Sequence, residues 1–139
     1  MSVASILLAA AAIAVPAAAS ADPLSGLRWK ERALVVFAPA RGDPNLAAQR
    51  RIFDQARAGN RERDLVLVQA VGNEPAAEDL RRRFGVAPDT FRAVLVGKDG
   101  GAKLSEASPI AADRLNETID AMPMRQDEMR HQQQAKPGR

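Results

Sequence analysis

The stretch that decides the fold is Leu34-Val35-Val36-Phe37-Ala38, which a short loop connects to Gly42-Asp43-Pro44-Asn45. The first five residues are apolar at successive positions, which is typical of a strand buried on both faces. Asp43 is a favourable N-cap residue and Pro44 fits the first helical position. The sequence therefore predicts a buried strand that leads into a helix over about residues 43–58, ended by Gly59 and followed by a polar turn at 60–63.

Outward from this unit, strands and helices alternate. Apolar runs and turn residues predict the remaining elements: a strand at 64–71, a helix at 75–84 ended by Gly85, a strand at 91–96, a hairpin turn at 97–101, a short edge strand at 102–105, and a helix capped by Ser108 and stopped by Pro123. The order β-α-β-α-β-β-α indicates an α/β fold with a central four-stranded mixed sheet and helices on both faces. Right-handed crossovers predict that strands one to three are parallel and that the fourth is an antiparallel edge strand.

The two ends of the chain differ from this pattern. Ile6 to Val15 is an apolar run, and Ala19-Ser20-Ala21 has the small-x-small form of a cleavage site. Residues 1–21 are therefore predicted to be a signal peptide, and the chain to be periplasmic or secreted. A retained membrane anchor is the alternative, but the apolar run is shorter than the roughly 20 residues that span a bilayer, so no stable insertion is expected after cleavage. Residues 125–139 are polar and Gln-rich, which predicts a disordered tail or a helical extension.

Composition excludes several kinds of chemistry. The chain has no cysteine, so thiol chemistry and cysteine-ligated metal are excluded. Its 20 basic and 17 acidic residues are interspersed, and few residues are aromatic, so nucleic acid is not an expected partner. The single histidine, His131, lies in the polar tail, and no metal site or cofactor is predicted. Trp29 is expected to cover one end of the core.

Local sequence adds a family resemblance. Phe84-Gly85-Val86, the apolar run Ala93-Val94-Leu95-Val96 and Lys98-Asp99-Gly100-Gly101 resemble the corresponding run of thioredoxins. More closely, residues 24–130 resemble the DUF4174 family of exported thioredoxin-like domains. The stretches that carry this resemblance are 27–30, 34–39, 63–66, 80–86, 96–101 and 120–125. It implies a thioredoxin-like domain over residues 24–124 and an exported setting, and it implies no established activity.

The chain departs from the thioredoxin pattern at two places. In thioredoxins the start of the first helix carries Cys-x-x-Cys, but in this chain Gly42 and Asn45 occupy the positions of the two cysteines. Arg92 stands where thioredoxins have a cis-proline. Thiol-disulfide oxidoreductase and peroxiredoxin activities are therefore excluded. A candidate cleft remains beside the start of the first helix, with Arg41, Asp43, Asn45 and Arg92 as its residues; Asp43 is predicted mainly to cap the helix.

These observations favour a non-catalytic, exported thioredoxin-fold module that binds a protein or peptide of the cell envelope. Two alternatives stay open. One is an enzyme of unknown class that uses Arg41, Asp43 and Arg92 in a polar cleft. The other is a module that binds a small anion or another small ligand at the helix start.

Overall fold

The computed structural model describes residues 22–135. The predicted signal peptide, residues 1–21, and residues 136–139 lie outside the described residues. The elements are β1 (Arg32–Ala38), α1 (Pro44–Gln55), α2 (Arg57–Glu62), β2 (Leu65–Val71), α3 (Pro75–Phe84), β3 (Arg92–Val96), β4 (Ala102–Glu106), α4 (Ala112–Asp120) and α5 (Pro123–Ala135). The strands form one sheet in the order β2-β1-β3-β4. The predicted α/β class and the four-stranded mixed sheet are confirmed.

The sheet divides the core into two layers because successive side chains of a strand point to opposite faces. All seven residues of β1 are buried. One apolar cluster joins the central strands to α1 and α4, and it includes Leu34, Val36, Leu46, Leu95, Leu115 and Ile119. The other cluster joins the same strands to α3, and it includes Val35, Phe37, Ala77, Leu80, Val94 and Val96. Helices therefore cover both faces, as predicted.

The direction of β3 differs from the one predicted from the sequence. β1 and β2 are parallel, with Leu34 opposite Leu67. β3 is antiparallel to β1, with Leu34 opposite Leu95, and β4 is antiparallel to β3. The prediction that strands one to three are all parallel is therefore wrong for β3.

The loop between α3 and β3 explains this reversal. Gly72, which precedes α3, donates its N–H to the carbonyl of Ala38 at the carboxyl end of β1. After α3, the loop returns to the same end of the sheet. The guanidinium of Arg81 holds it there by donating to the carbonyl oxygens of Ala87, Thr90 and Ala38 at 2.6, 3.2 and 3.3 Å. β3 thus enters beside the end of β1 and must run in the opposite direction, a case that the handedness rule for parallel crossovers does not cover.

The helix after β1 starts as predicted but divides. Asp43 caps α1, since its Oδ1 accepts from the N–H groups of Asn45 and Leu46 at 2.9 and 3.2 Å. The helix breaks at Ala56 and continues as α2, which contains Gly59, so Gly59 does not end it and residues 60–62 are helical. Buried Asn60 donates its side-chain amide to the carbonyl of Phe53 at 2.9 Å. This bond ties α2 back onto the last turn of α1.

The carboxyl-terminal elements also differ from expectation. Ser108 caps no helix; α4 begins at Ala112, after a segment in which buried Gln49 exchanges two hydrogen bonds with the backbone of Ile110. α4 ends at Asp120, before Pro123, and Pro123 then begins α5 as a first-turn proline.

Residues 125–135 belong to α5, which agrees with the predicted helical extension and not with the alternative of a disordered tail. Arg125 is buried, which ties the helix to the rest of the domain. Within residues 22–135, no helix has both the length and the apolar character needed to cross a bilayer.

Candidate functional site

The start of α1 holds three of the four candidate residues predicted from sequence. Asp43 is engaged as the helix cap, and Asn45 is exposed in the first turn. The side chain of Arg41 is 86% exposed, and its Nη2 lies 3.7 Å from Oε1 of Glu74. A cleft of about 310 Å³ lies beside Arg41 and Glu74. An ion pair this exposed contributes little binding energy and leaves both groups hydrated.

Arg92 does not join the other three residues. It shares its sheet face with Val94, two positions further along β3, and Val94 packs in the α3 cluster. Nη1 of Arg92 donates to Oγ of Ser105 at 2.8 Å on the neighbouring strand. Asp43 starts α1, which covers the opposite face. The structure therefore separates Arg92 from the predicted cleft by the thickness of the sheet.

A larger cavity lies at the other end of the sheet. It has a volume of about 530 Å³ and lies between the segment before β1, the β3–β4 turn and the connection from α4 to α5. Its apolar lining consists of Trp29, Ala121, Met122, Pro123 and Met124. Ligand clefts have volumes of roughly 300–1,000 Å³ and mainly apolar walls. We refer to this feature as the Trp29 cavity.

Trp29 is the most unusual residue of the cavity. It is 59% exposed, so the expectation that it covers the core is wrong. Its φ is +69°, a left-handed conformation that costs a bulky residue roughly 1–2 kcal/mol. The N–H of Trp29 donates to the carbonyl of Lys98 at 2.6 Å, which fixes this backbone. A large aromatic side chain is thus held in solvent at a cost in stability, and strained residues of this kind often serve function.

Buried charges form the floor of the cavity. Glu128 of α5 accepts two hydrogen bonds from the guanidinium of Arg32, at 3.1 and 3.2 Å, and one from Nζ of Lys98 at 2.6 Å. Lys98 also donates to Asp64 at 2.8 Å. The side chains of Arg32 and Lys98 are only 1% and 8% exposed. Burial alone would raise the pKa of Glu128, but the hydrogen bonds from Arg32 and Lys98 outweigh it and the pKa is lowered.

The same network continues beneath α5. Asp120 accepts from Arg63 at 2.9 and 3.0 Å and from buried Arg125 at 3.1 Å. The hydrogen bond from Arg63 is the main reason that the pKa of Asp120 is lowered. Arg125 also donates to the carbonyl and the carboxylate of Glu62. We call this network the charge cluster; its members are Arg32, Glu62, Arg63, Asp64, Lys98, Asp120, Arg125 and Glu128.

The chemistry of the cavity follows from these contacts. The two cations of its floor already have carboxylate partners, so the cavity presents mainly an indole ring and two thioether side chains to a ligand. Residues 22–135 contain no group of three or more histidine, aspartate or glutamate side chains placed to hold a metal ion. Binding of an apolar group is what this arrangement supports best.

This cavity was not predicted from the sequence, although the sequence contains a signal for it. Three of the six stretches that carry the DUF4174 resemblance, at 27–30, 96–101 and 120–125, meet here in space. They are far apart in the chain, and their meeting depends on the docking of α5, a segment whose composition predicted either a disordered tail or a helical extension.

Comparison with known proteins supports the fold and the family. The structure is similar to the reduced 2-Cys peroxiredoxin of Plasmodium vivax, with a TM-score of 0.57 and 16% identity over 81% of this chain and 72% of that one. It is also similar to thioredoxin peroxidase I of Plasmodium yoelii, with a TM-score of 0.57 and 17% identity over 84% of this chain and 82% of that one. This likeness establishes a thioredoxin-like fold and nothing about activity, and a chain with no cysteine cannot perform peroxiredoxin thiol chemistry.

The family described as Domain of unknown function (DUF4174) matches residues 23–128. This match covers nearly all of the described domain, including β1 to β4 and the half of α5 that carries Arg125 and Glu128. The chain therefore belongs to the DUF4174 family, here with a thioredoxin-like fold that has no redox cysteines.

Proposed function

We propose that this protein is a non-catalytic binding module of the cell envelope and that it binds a segment of a partner protein in the Trp29 cavity. The observation that carries the proposal is the exposure of Trp29, 59%, on a strained backbone beside an apolar cavity of about 530 Å³. Tryptophan anchors are enriched at protein interfaces because one ring contributes a large apolar area at a low cost in side-chain entropy.

The rigidity of the cavity supports the same proposal. Its walls come from three segments that are fixed to one another by the Trp29–Lys98 backbone bond and by the ion pairs of Glu128 with Arg32 and Lys98. A preformed site loses little conformational entropy when its ligand binds. A fixed floor with adaptable methionines at the wall accommodates apolar side chains of different shapes.

The start of α1 gives less support to the enzyme and small-anion alternatives. Asp43 already accepts from the first free N–H groups of the helix, and its carboxylate occupies the place that an anion would take. Arg92 lies on the other face of the sheet, and Arg41 is highly exposed. Residues that share a catalytic role would have to meet in one pocket.

Site-specific photo-cross-linking would test the proposal. Met124, at the rim and 37% exposed, would be replaced by p-benzoyl-phenylalanine in the exported protein and irradiated in cells. We expect adducts with a discrete protein, and we expect Trp29→Gly to abolish them while far-UV circular dichroism stays unchanged. The matched control places the photoreactive residue at exposed Arg51 of α1. Adducts that survive Trp29→Gly, or that form equally from position 51, would contradict a role for the cavity.

The envelope location is a separate part of the proposal and rests on residues 1–21. It predicts a mature chain that begins near Asp22. Intact-mass measurement of the protein isolated from its native cells would test this. A soluble cytoplasmic form that retains Met1 to Ala21 would reject the proposed location and leave the cavity proposal in place.

A further inference from the structure

We propose that the ligand of the Trp29 cavity is a peptide segment in which one large apolar side chain is flanked by carboxylates. This inference rests on the proposed function and narrows it to one chemical class of partner. Two independent features carry it: the apolar lining of the cavity and the excess of positive charge around its opening.

The apolar lining of the cavity determines which ligand side chain would enter it. The indole of Trp29 and the thioether of Met124 are both accessible at the opening, and Met122 is half-buried behind them. Contact with these groups removes apolar surface from water on both partners, which stabilises the complex by about 25 cal/mol per Å² before ordering costs. A leucine, methionine or phenylalanine side chain would make these contacts.

The charges near the opening determine which charged groups would flank the apolar side chain of the ligand. Arg28 and Lys30 flank Trp29 in the chain. The guanidinium carbon of Arg28, which borders the neighbouring cleft, lies 5.3 Å from the centre of the Trp29 ring, and Lys30 is exposed. Within residues 22–135, neither cation forms an ion pair. Lys103 lines the cavity and is bonded at 2.8 Å to Asp99, the one carboxylate of the lining. The segment beside the opening thus carries two cations, Arg28 and Lys30, and one carboxylate, Glu31, and this small excess of positive charge favours carboxylates over amines in a ligand.

The charge cluster determines where the carboxylates of the ligand would lie. Arg32 and Lys98 on the floor are both paired with Glu128, and only the buried Nε of Arg32 lacks a hydrogen-bond partner. An acidic group that entered the cavity would therefore lose its water and meet no cation whose charge is still uncompensated. The carboxylates of the ligand would remain at the opening, near Arg28 and Lys30, while its apolar side chain enters. An anionic bilayer offers the same charge, but a concave cavity fits a protruding side chain better than a broad lipid surface.

The chain contains its own reporter for the test. Trp29 is the only tryptophan and there is no tyrosine, so intrinsic fluorescence reports on this cavity alone. The full mature protein would be titrated with three soluble peptides: one with leucine between aspartates, one with lysines in place of the aspartates, and one with serine in place of the leucine. We expect the first peptide to shift the emission and to bind about tenfold more tightly than either of the others.

Two charge-reversal variants retain Trp29 as the fluorescent reporter and test the effect of the positive charge at the opening. Arg28→Glu and Lys30→Glu should each lower the affinity for the acidic peptide about threefold to tenfold. Added salt should reduce this difference between variant and wild type, because exposed charges are screened. Arg51→Glu on α1 is the matched control and should leave the affinity unchanged. Equal effects of all three variants would overturn the placement of the ligand's carboxylates at the opening.

The outcomes separate this inference from the proposed function. Equal binding of the lysine peptide or the serine peptide would overturn the ligand class. Binding only to phosphatidylglycerol vesicles, and to none of the peptides, would overturn it in favour of a lipid surface. If all three peptides fail while Trp29-dependent cross-links from position 124 persist, the ligand class is wrong and the proposed function stands. If the cross-links are also absent, both are rejected.

Discussion

The backbone N–H of Trp29 donates to the carbonyl oxygen of Lys98 at 2.6 Å, and this bond joins an exposed indole to the turn that carries a buried ammonium group. The same Lys98 binds Glu128 of α5 through its side chain. One lysine thus connects the two walls of the cavity, through its backbone on one side and its charge on the other. Loss of either the cavity or the charge cluster is therefore expected to destabilise the other.

The conformation of Trp29 can be tested by two substitutions that both remove the ring. At a φ of +69°, glycine has no steric penalty, whereas alanine retains one of roughly 1 kcal/mol. We expect Trp29→Gly to be about 1 kcal/mol more stable than Trp29→Ala, measured by urea unfolding followed by circular dichroism. Lys30, which does not have a positive φ, is the control; there the alanine variant should be at least as stable as the glycine variant. A less stable Trp29→Gly would argue against backbone strain at this position.

Glu128 should be a major stabilising residue of the cavity floor. Its side chain is 23% exposed and binds Arg32, whose side chain is 1% exposed. Removing one partner of a buried ion pair leaves the other charge without compensation and costs about 3–5 kcal/mol. We therefore expect Glu128→Ala to lower the free energy of unfolding by about 3 kcal/mol or more.

The matched control for Glu128 is Asp127→Ala on the same helix. Asp127 pairs with Arg130 three residues on, and both side chains are exposed, so its loss should cost less than about 1 kcal/mol. If the two variants lose equal stability in urea melts, the charge cluster does not hold α5 against the domain.

The lowered pKa values of Glu128 and Asp120 predict how stability depends on pH. In the unfolded chain these groups titrate near their ordinary values, about 4.3 for Glu and 3.9 for Asp. A lower pKa in the folded state means that the unfolded chain binds protons first as the pH falls. Their contribution should be fully present above about pH 5 and should be lost as the pH falls through the lowered folded-state values.

Urea unfolding at a series of pH values would measure this dependence. Glu128→Gln removes one of the carboxyl groups with a lowered pKa, so its stability should fall less steeply below about pH 5 than that of the wild type. Glu117→Gln, an exposed position on α4, is the control and should keep the wild-type slope. A Glu128→Gln curve parallel to the wild type would show that Glu128 is not one of the linked groups.

The parts of the fold that local sequence determines were predictable. Continuous apolar runs identified β1 and β2, and the Asp43–Pro44 and Gly85 signals located the start of α1 and the end of α3, where Gly85 has a φ of +66°. The direction of β3 was not predictable, because it depends on how buried Arg81 holds a loop against the end of β1. Nothing in the local pattern of an arginine triplet distinguishes the one that is buried.

The Trp29 cavity was not predicted from the sequence for a related reason. Arg125 and Glu128 belong to a polar stretch whose local composition is typical of a tail. Their charges are nevertheless neutralised by Glu62 and Arg32, which lie 63 and 96 positions away in the chain. Composition reports the cost of burying a charge but not the presence of a distant partner. The predicted cleft differs from the structure in one residue. Arg92 begins β3 beside the end of β1, but the alternation of side chains along β3 places it on the face of the sheet that α1 does not cover.

The N-cap of α1 allows a direct choice between a structural and a functional role for Asp43. Its Oδ1 accepts from the N–H groups of Asn45 and Leu46, so Asp43→Ala should lower the free energy of unfolding by about 0.5–2 kcal/mol. Asp43→Ser restores a hydroxyl acceptor at the same position and should cost much less. Urea melts of both variants, with peptide binding measured through Trp29 fluorescence, would separate the roles, because the cavity lies at the other end of the sheet and its affinity should not change. Unchanged or increased stability in Asp43→Ala would reject the cap and would favour a ligand-binding or catalytic carboxylate at the start of α1.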